Sequence, residues 1–388
     1  MDFRDSPDEA AFRKELRAWF EANIPEGWRE RDPSGGGLDE TIARRWARRL
    51  HEGGYAGLTW PKEYGGAGAP YTHQAIFLEE SARAETPEHI GVIGLGMAGP
   101  TIMAHGTEEQ KQAHLSKILS GEEVWCQGFS EPGAGSDLGS LKTKATDGGD
   151  HFVVSGQKMW SSYAQIADYC ILVVRTDPSV PKHKGITYML VDMHLDGVEV
   201  RPLVQITGDP EFNEIFFNDV RVPKSAVVGG VNEGWGVAMT TLLHERGTLG
   251  FALTARLEVA TAKLVALAKE RGATADPLIR DRIAQQWIEL QALKFTNYRA
   301  LTTLMQKGTP GPEGSIAKLH WSEANQRLGK LAFEILGPHA QLDGDDSIWG
   351  GFWQYHQLRS RGNTIEAGTS EILRNIIAER VLGLPRSR

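Results

Sequence analysis

The spacing of apolar residues changes period twice along this chain, and no other feature limits its fold as tightly. Ser6 and Glu9 make a capping box with Pro7 at the first helical position, and Ala11, Phe12, Leu16, Trp19 and Phe20 follow at helical spacing. A second helix is expected through Thr41–Trp46, then a loop at Leu58–Gly68. Thr107 and Gln110 form another capping box, opening a helix to about Leu119 that stops at Gly121. Beyond Gly121 the pattern shortens. Phe152–Val154, Tyr169–Val174, Ile186–Val191 and Glu214–Phe217 are β-branched or aromatic runs separated by Gly, Asp and Pro. No helix-length segment lies between them, so βαβ units are excluded and an antiparallel barrel or sandwich is expected. From about Asn232 the helical period returns, predicting helices over roughly 234–270, 277–307 and 312–336, and a last one from Thr369–Ser370 to Gly383. The expected fold class is α+β: an N-terminal helical domain (1–122), a central antiparallel β-barrel or sandwich domain (123–232) and a C-terminal helical bundle (233–388).

Length and charge agree with several domains of ordinary composition. A chain of 388 residues exceeds what one hydrophobic core usually serves. A formal net charge of −8, with no basic stripe, argues against nucleic acid as a partner. Two cysteines, Cys126 and Cys170, support neither a disulfide framework nor a four-thiolate metal site. The longest charge-free stretch, Ile90–Thr107, holds five glycines and a proline and is not read as a membrane span. The acidic first residues lack an apolar signal region, so a cytoplasmic location is expected.

One motif invites a wrong turn. Gly94-Leu95-Gly96-Met97-Ala98-Gly99 fits G-x-G-x-x-G, but the helix, second parallel strand and acidic partner of a dinucleotide site are missing. We read it as glycine-mediated helix packing. H-E-x-x-H, G-x-S-x-G and the P-loop pattern are absent, so metal chemistry and serine hydrolysis are not expected.

Three other segments carry chemistry together. Trp125–Asp137 runs from a strand into Ser130-Glu131-Pro132-Gly133-Ala134-Gly135-Ser136-Asp137, a loop of small residues and hydroxyls whose backbone N–H groups suit an anion. Gly156-Gln157-Lys158-Met159-Trp160-Ser161-Ser162 follows, and Gly368-Thr369-Ser370-Glu371-Ile372 opens the last helix, another natural anion site. With the Leu58–Gly68 loop, Gly106–Lys111 and Phe217–Pro223, these segments resemble the acyl-CoA dehydrogenase family along essentially the whole chain. The resemblance implies FAD-dependent α,β-dehydrogenation of an acyl-CoA thioester, with an electron-transferring flavoprotein as acceptor. It implies that Gln127, Phe129 and Ser130 meet the flavin ring, that Gly135 and Ser136 lie near phosphate, and that Trp160 covers the ring face with Ser162 at its edge. Thr369 and Glu371 would contribute from the last helix.

The family's base is where this sequence departs. An α-proton needs a carboxylate in an apolar pocket within reach of the carbon. Many members carry that glutamate just before the glycine of the Gly-Thr motif, where this chain has Ala367. Isovaleryl-type and some long-chain members place it on the first long C-terminal helix before an arginine, and here Glu245-Arg246 stands there. Glu245 shares a helical face with Leu242, Leu249 and Ala252. It is either the base or an Arg246-paired group at a subunit contact, and Glu366 is the alternative base. The N–H of Ala367, beside Gly368, is implied to hold the thioester oxygen, and Arg246 to tether the CoA side.

Two further departures concern assembly. The family's Arg-x-x-Phe-Gly motif, which completes a neighbour's FAD site, is reduced to Arg271 followed by Gly272, Ala273, Thr274 and Ala275. Glu334 replaces the glutamine of a second motif, and its charge would repel a pyrophosphate. Homo- and hetero-oligomers, a dimer of dimers among them, both remain open. So do a partner subunit without independent activity and an oxidase or enoyl-CoA reductase on the same fold.

Overall fold

The computed structural model describes residues 4–28, 39–244, 249–308, 311–342 and 344–386. In chain order its helices and strands are α1 (Pro7–Asn23), α2 (Glu40–Glu52), α3 (Tyr71–Arg83), α4 (Gly99–His105), α5 (Glu108–Ser120), β1 (Trp125–Gly128), β2 (Lys144–Asp147), β3 (His151–Ser162), β4 (Tyr169–Arg175), β5 (Ile186–Asp192), β6 (Val198–Leu203), β7 (Phe212–Pro223), β8 (Val227–Val228), α6 (Gly234–His244), α7 (Leu249–Glu270), α8 (Pro277–Lys307), α9 (Glu313–Leu336), α10 (Phe352–Asn363) and α11 (Ser370–Ile376). Both expected capping boxes form, at Ser6/Glu9 and Thr107/Gln110, and Gly121 ends α5 in the left-handed conformation. Neither α3 nor α10, nor β2 and β6, was expected. None of the described helices is long and apolar enough to cross a membrane.

The chain packs as two compact units that do not follow chain order. One comprises residues 37–69 and 88–245, the other 1–36, 70–87 and 246–388.

The first unit is built on one sheet of order β6-β7-β3-β2-β4-β5-β8, with β1 beside β4. Most pairs are antiparallel as expected. The β1–β4 and β2–β4 pairs are parallel instead, because the chain leaves β1 and completes the β2–β3 hairpin before returning alongside both. Side chains of β4 and β5 alternate between two cores. Ile171, Val173, Ile186 and Tyr188 join Trp60, Met97, Ile118 and Val237 from the surrounding helices and loops. Cys170, Leu172, Met189 and Val191 meet Phe152 and Val154 of β3 and Ile215, Phe217, Val220 and Val222 of β7. Strands separated in the sheet order thus share one interior, which requires the sheet to fold over as a sandwich does.

Gly94–Ala98 forms a wide helical turn leading into α4. Gly99 lies so close to Trp60 that an added Cβ would sit 2.2 Å from its ring, so the G-x-G-x-x-G run serves packing.

In the second unit α7, α8, α9 and α10 enclose Leu257, Leu264, Leu290, Leu293, Leu328, Leu331 and Trp353. Ala75 of α3 packs with Phe251 and Leu301. Arg13 and Arg17 of α1 and Arg83 of α3 all reach the carboxylate of Glu80, which is 4% exposed.

Candidate active site

In the sheet-containing unit, the first two predicted segments meet. Gln127, Phe129 and Ser130 lie at the end of β1, and each of their carbonyls is tied to β3. Ser161 Oγ donates to Gln127 O at 2.9 Å, Lys158 Nζ to Phe129 O at 2.9 Å, and Met159 N to Ser130 O at 2.9 Å. The β3–β7 register slips between Lys158 and Ser161, and Trp160 occupies that bulge at φ 62°, the residue being 56% exposed. A bulky residue in the left-handed region is strained, and such strain persists only where surrounding contacts enforce it. Ser162 is half-buried opposite Phe212, whose ring meets Trp160 edge-on at 6.0 Å. The Phe129 ring is buried against Tyr188, so this residue faces the expected site with backbone rather than ring.

The loop beyond is open to solvent. Gly135 and Ser136 are exposed, and a Cβ added at Gly133 or Gly135 would meet nothing within 4 Å. Among the described residues, the N–H groups of Gly133, Gly135 and Ser136 find no backbone acceptor. The neighbouring carboxylate of Asp137 is neutralised by Lys182 at 2.7 Å. An exposed indole beside free amide donors fits a flat ring system attached to an anionic chain, the chemistry of a flavin nucleotide.

Sequence reasoning missed the group beneath this loop. Lys158 is fully buried, with Nζ 2.8 Å from Glu131 Oε1. Burial lowers the Lys158 pKa. Burial alone would raise that of Glu131, but the ammonium and its hydrogen bonds bring it below the ordinary value. Gly156 is exposed and the β3–β7 register slips between it and Val154, so the inward alternation of Phe152 and Val154 breaks before Lys158 and leaves no clear trace of it in the sequence.

In the helical unit, Ala367 and Gly368 form a left-handed turn at φ 51° and 95°. Lys318 Nζ holds Gly368 O at 2.7 Å, and among the described residues the Ala367 N–H meets no backbone acceptor. Thr369 caps α11 through its own hydroxyl, at 3.2 Å from Ile372 N, while Glu371 is exposed. Both line an open cleft of about 480 Å³ with Gln326, Lys330 and Ser370. Glu366 is occupied by Arg359 and Asn363. Arg271 is exposed and approaches His339 at 3.4 Å, and Glu334 pairs with Arg282, which cancels the charge expected to repel phosphate. Glu245 and Arg246 lie outside the described residues. Among the described residues no cluster of His, Cys, Asp or Glu could hold a metal ion.

Models of the acyl-CoA dehydrogenase N-terminal, middle and C-terminal domains match residues 6–122, 126–220 and 232–382. The chain belongs to the acyl-CoA dehydrogenase family. It is 41% identical to the acyl-CoA dehydrogenase IpdE1 of Mycobacterium tuberculosis over 386 residues, 98% of each chain. The human mitochondrial short-chain specific acyl-CoA dehydrogenase is 33% identical, covering 86% of this chain and 81% of the relative. A solved steroid ACAD, Tcur3481-Tcur3483, superposes with a TM-score of 0.89 at 34% identity, covering 100% of both chains. This acyl-CoA dehydrogenase is therefore an oxidoreductase of a family of FAD flavoproteins, and one solved relative, at 33% identity and a TM-score of 0.87 over 100% of both chains, is the ChsE4-ChsE5 complex from Mycobacterium tuberculosis.

Proposed function

We propose that the chain oxidises the α,β-bond of an acyl-CoA thioester with Glu245 as the base. The supporting observation is the turn at Ala367: it keeps a free backbone N–H, lacks a side-chain carboxylate, and has its neighbour Glu366 engaged by Arg359. A donor without a base calls for a carboxylate from elsewhere, and the sequence offers Glu245, spaced at helical intervals from Leu242, Leu249 and Ala252. Glu245 takes the α-proton, while the Ala367 N–H donates to the thioester oxygen and stabilises the negative charge that develops there. Gln127, Ser130 and Ser162 would position the flavin ring, Trp160 would cover its face, and the free amides of Gly133, Gly135 and Ser136 would hold its phosphates. When bound, FAD supplies the acceptor for the β-hydride, and an electron-transferring flavoprotein takes the electrons onward.

We further infer a heteromeric assembly acting on a bulky, ring-bearing acyl group. The truncated motif after Arg271 supports an altered cofactor contact between subunits, and the likeness to a steroid ACAD supports the substrate class. The test of the chemistry is anaerobic flavin reduction across straight, branched and steroid-type acyl-CoA thioesters. Glu245→Gln should keep bound FAD and lose reduction. Full reduction in that variant overturns the assignment. A homotetramer carrying one FAD per chain would overturn the heteromeric reading.

A further inference from the structure

The buried pair Lys158–Glu131 is unused by the chemistry above, yet it ties β3 to the loop that follows β1. Lys158 Nζ bridges Phe129 O and Glu131 Oε1 at 2.9 and 2.8 Å. Glu131 in turn accepts from Lys142 N at 2.6 Å and Thr143 N at 2.9 Å, closing the loop from both ends. Glu131 and Ala134 also exchange backbone hydrogen bonds, so the turn carrying Pro132 and Gly133 starts from the residue whose carboxylate is anchored below it. On the other side, Lys158 begins the register slip that places Trp160 at positive φ. A fully buried ammonium is costly, and a core needing only volume would place an apolar residue there.

We propose that Lys158 is a positioning residue that sets the 129–136 loop and the Trp160 bulge in register with each other, so that amide donors and indole address one flavin together. The inference rests on the flavin reading above. It predicts that the pair governs local order and cofactor affinity rather than the fold as a whole.

The experiment compares full-length wild type, Lys158→Met and the double variant Glu131→Gln/Lys158→Met by amide hydrogen exchange, with and without FAD, and by FAD titration. The double variant serves if the lone buried carboxylate left by Lys158→Met prevents folding. The expected result is faster exchange confined to residues 127–143 and 158–162 in the flavin-free protein, and FAD binding weakened tenfold or more. Unchanged exchange in those segments overturns the proposal, as does loss of protection throughout the sheet in the folded double variant. If wild type binds no FAD, the flavin reading fails, and the exchange pattern still decides whether Lys158 orders the loop and bulge.

Discussion

Arg359 holds Glu366 in an ion pair at 3.2 Å, while Asn363 donates to the other carboxylate oxygen at 2.8 Å. A carboxylate restrained on both oxygens, one step before the free N–H of Ala367, is placed to anchor the turn, and under the proposed assignment of Glu245 it is not the base. Glu366→Gln should therefore keep substrate-dependent flavin reduction within about threefold, against the roughly 10²–10⁴-fold loss that follows removal of a general base. With both side chains partly exposed, its stability cost should be about 0–1 kcal/mol. Stopped-flow reduction and a denaturant midpoint check both numbers.

Acid should weaken the helical unit through Glu80. Burial alone would raise its pKa, but the hydrogen bonds and charges of Arg17 and Arg13 overcome that and hold it at about 2. Because the folded value lies below the ordinary one, the stabilisation is complete above about pH 4.5 and is lost as pH falls towards 2. Glu80→Gln should cost about 2–3 kcal/mol at pH 7 and progressively less in that acidic window. Urea unfolding at pH 7, 4 and 3 measures it, and a pH-independent difference would contradict the sign.

Gly99 leaves no room for a methyl group. Its missing Cβ would lie 2.2 Å from the Trp60 ring, while Trp60 Nε1 donates to Leu95 O at 3.2 Å. Gly99→Ala should destabilise by about 1–3 kcal/mol through overpacking, visible as a lowered Tm, despite alanine's better helix propensity. Stabilisation would show that the close approach is not enforced.

Trp160 carries backbone strain at the position proposed to cover the flavin. Glycine adopts its φ of 62° without steric cost, so Trp160→Gly should leave the Tm of flavin-free protein unchanged or raised. The same variant should bind FAD more weakly. A lowered Tm with intact FAD affinity would mean that the indole supports the fold, through Phe212, instead of the cofactor.

Elements with local signatures were legible in the sequence. The Ser6/Glu9 and Thr107/Gln110 boxes satisfy backbone donors within four residues, so their pattern is complete in the chain itself. Helices α3 and α10 were missed because polar residues occupy their buried faces: Glu79 and Glu80 in α3, and Gln354, Ser360 and Asn363 in α10. Their burial depends on partners far along the chain, such as Arg13 for Glu80, and periodicity carries no trace of a distant counter-charge. The site divides the same way. The Ser130–Ser136 loop, Trp160 and the Ala367 turn stood out as motifs, whereas Lys158 lay unremarked inside one of them.

From its sequence alone, this chain declared two helical stretches flanking a strand-rich one and its resemblance to a flavin-dependent family. Tertiary structure decided which helices share a core: α1 and α3 join α7–α11, while α2, α4, α5 and α6 enclose the sheet. It also decided that Lys158 is buried on Glu131, that Trp160 is held in a left-handed bulge, and that Glu366 is already paired. Helix and strand preference arise within a few residues, but burial and charge pairing are free energies between surfaces that meet only after the chain has folded.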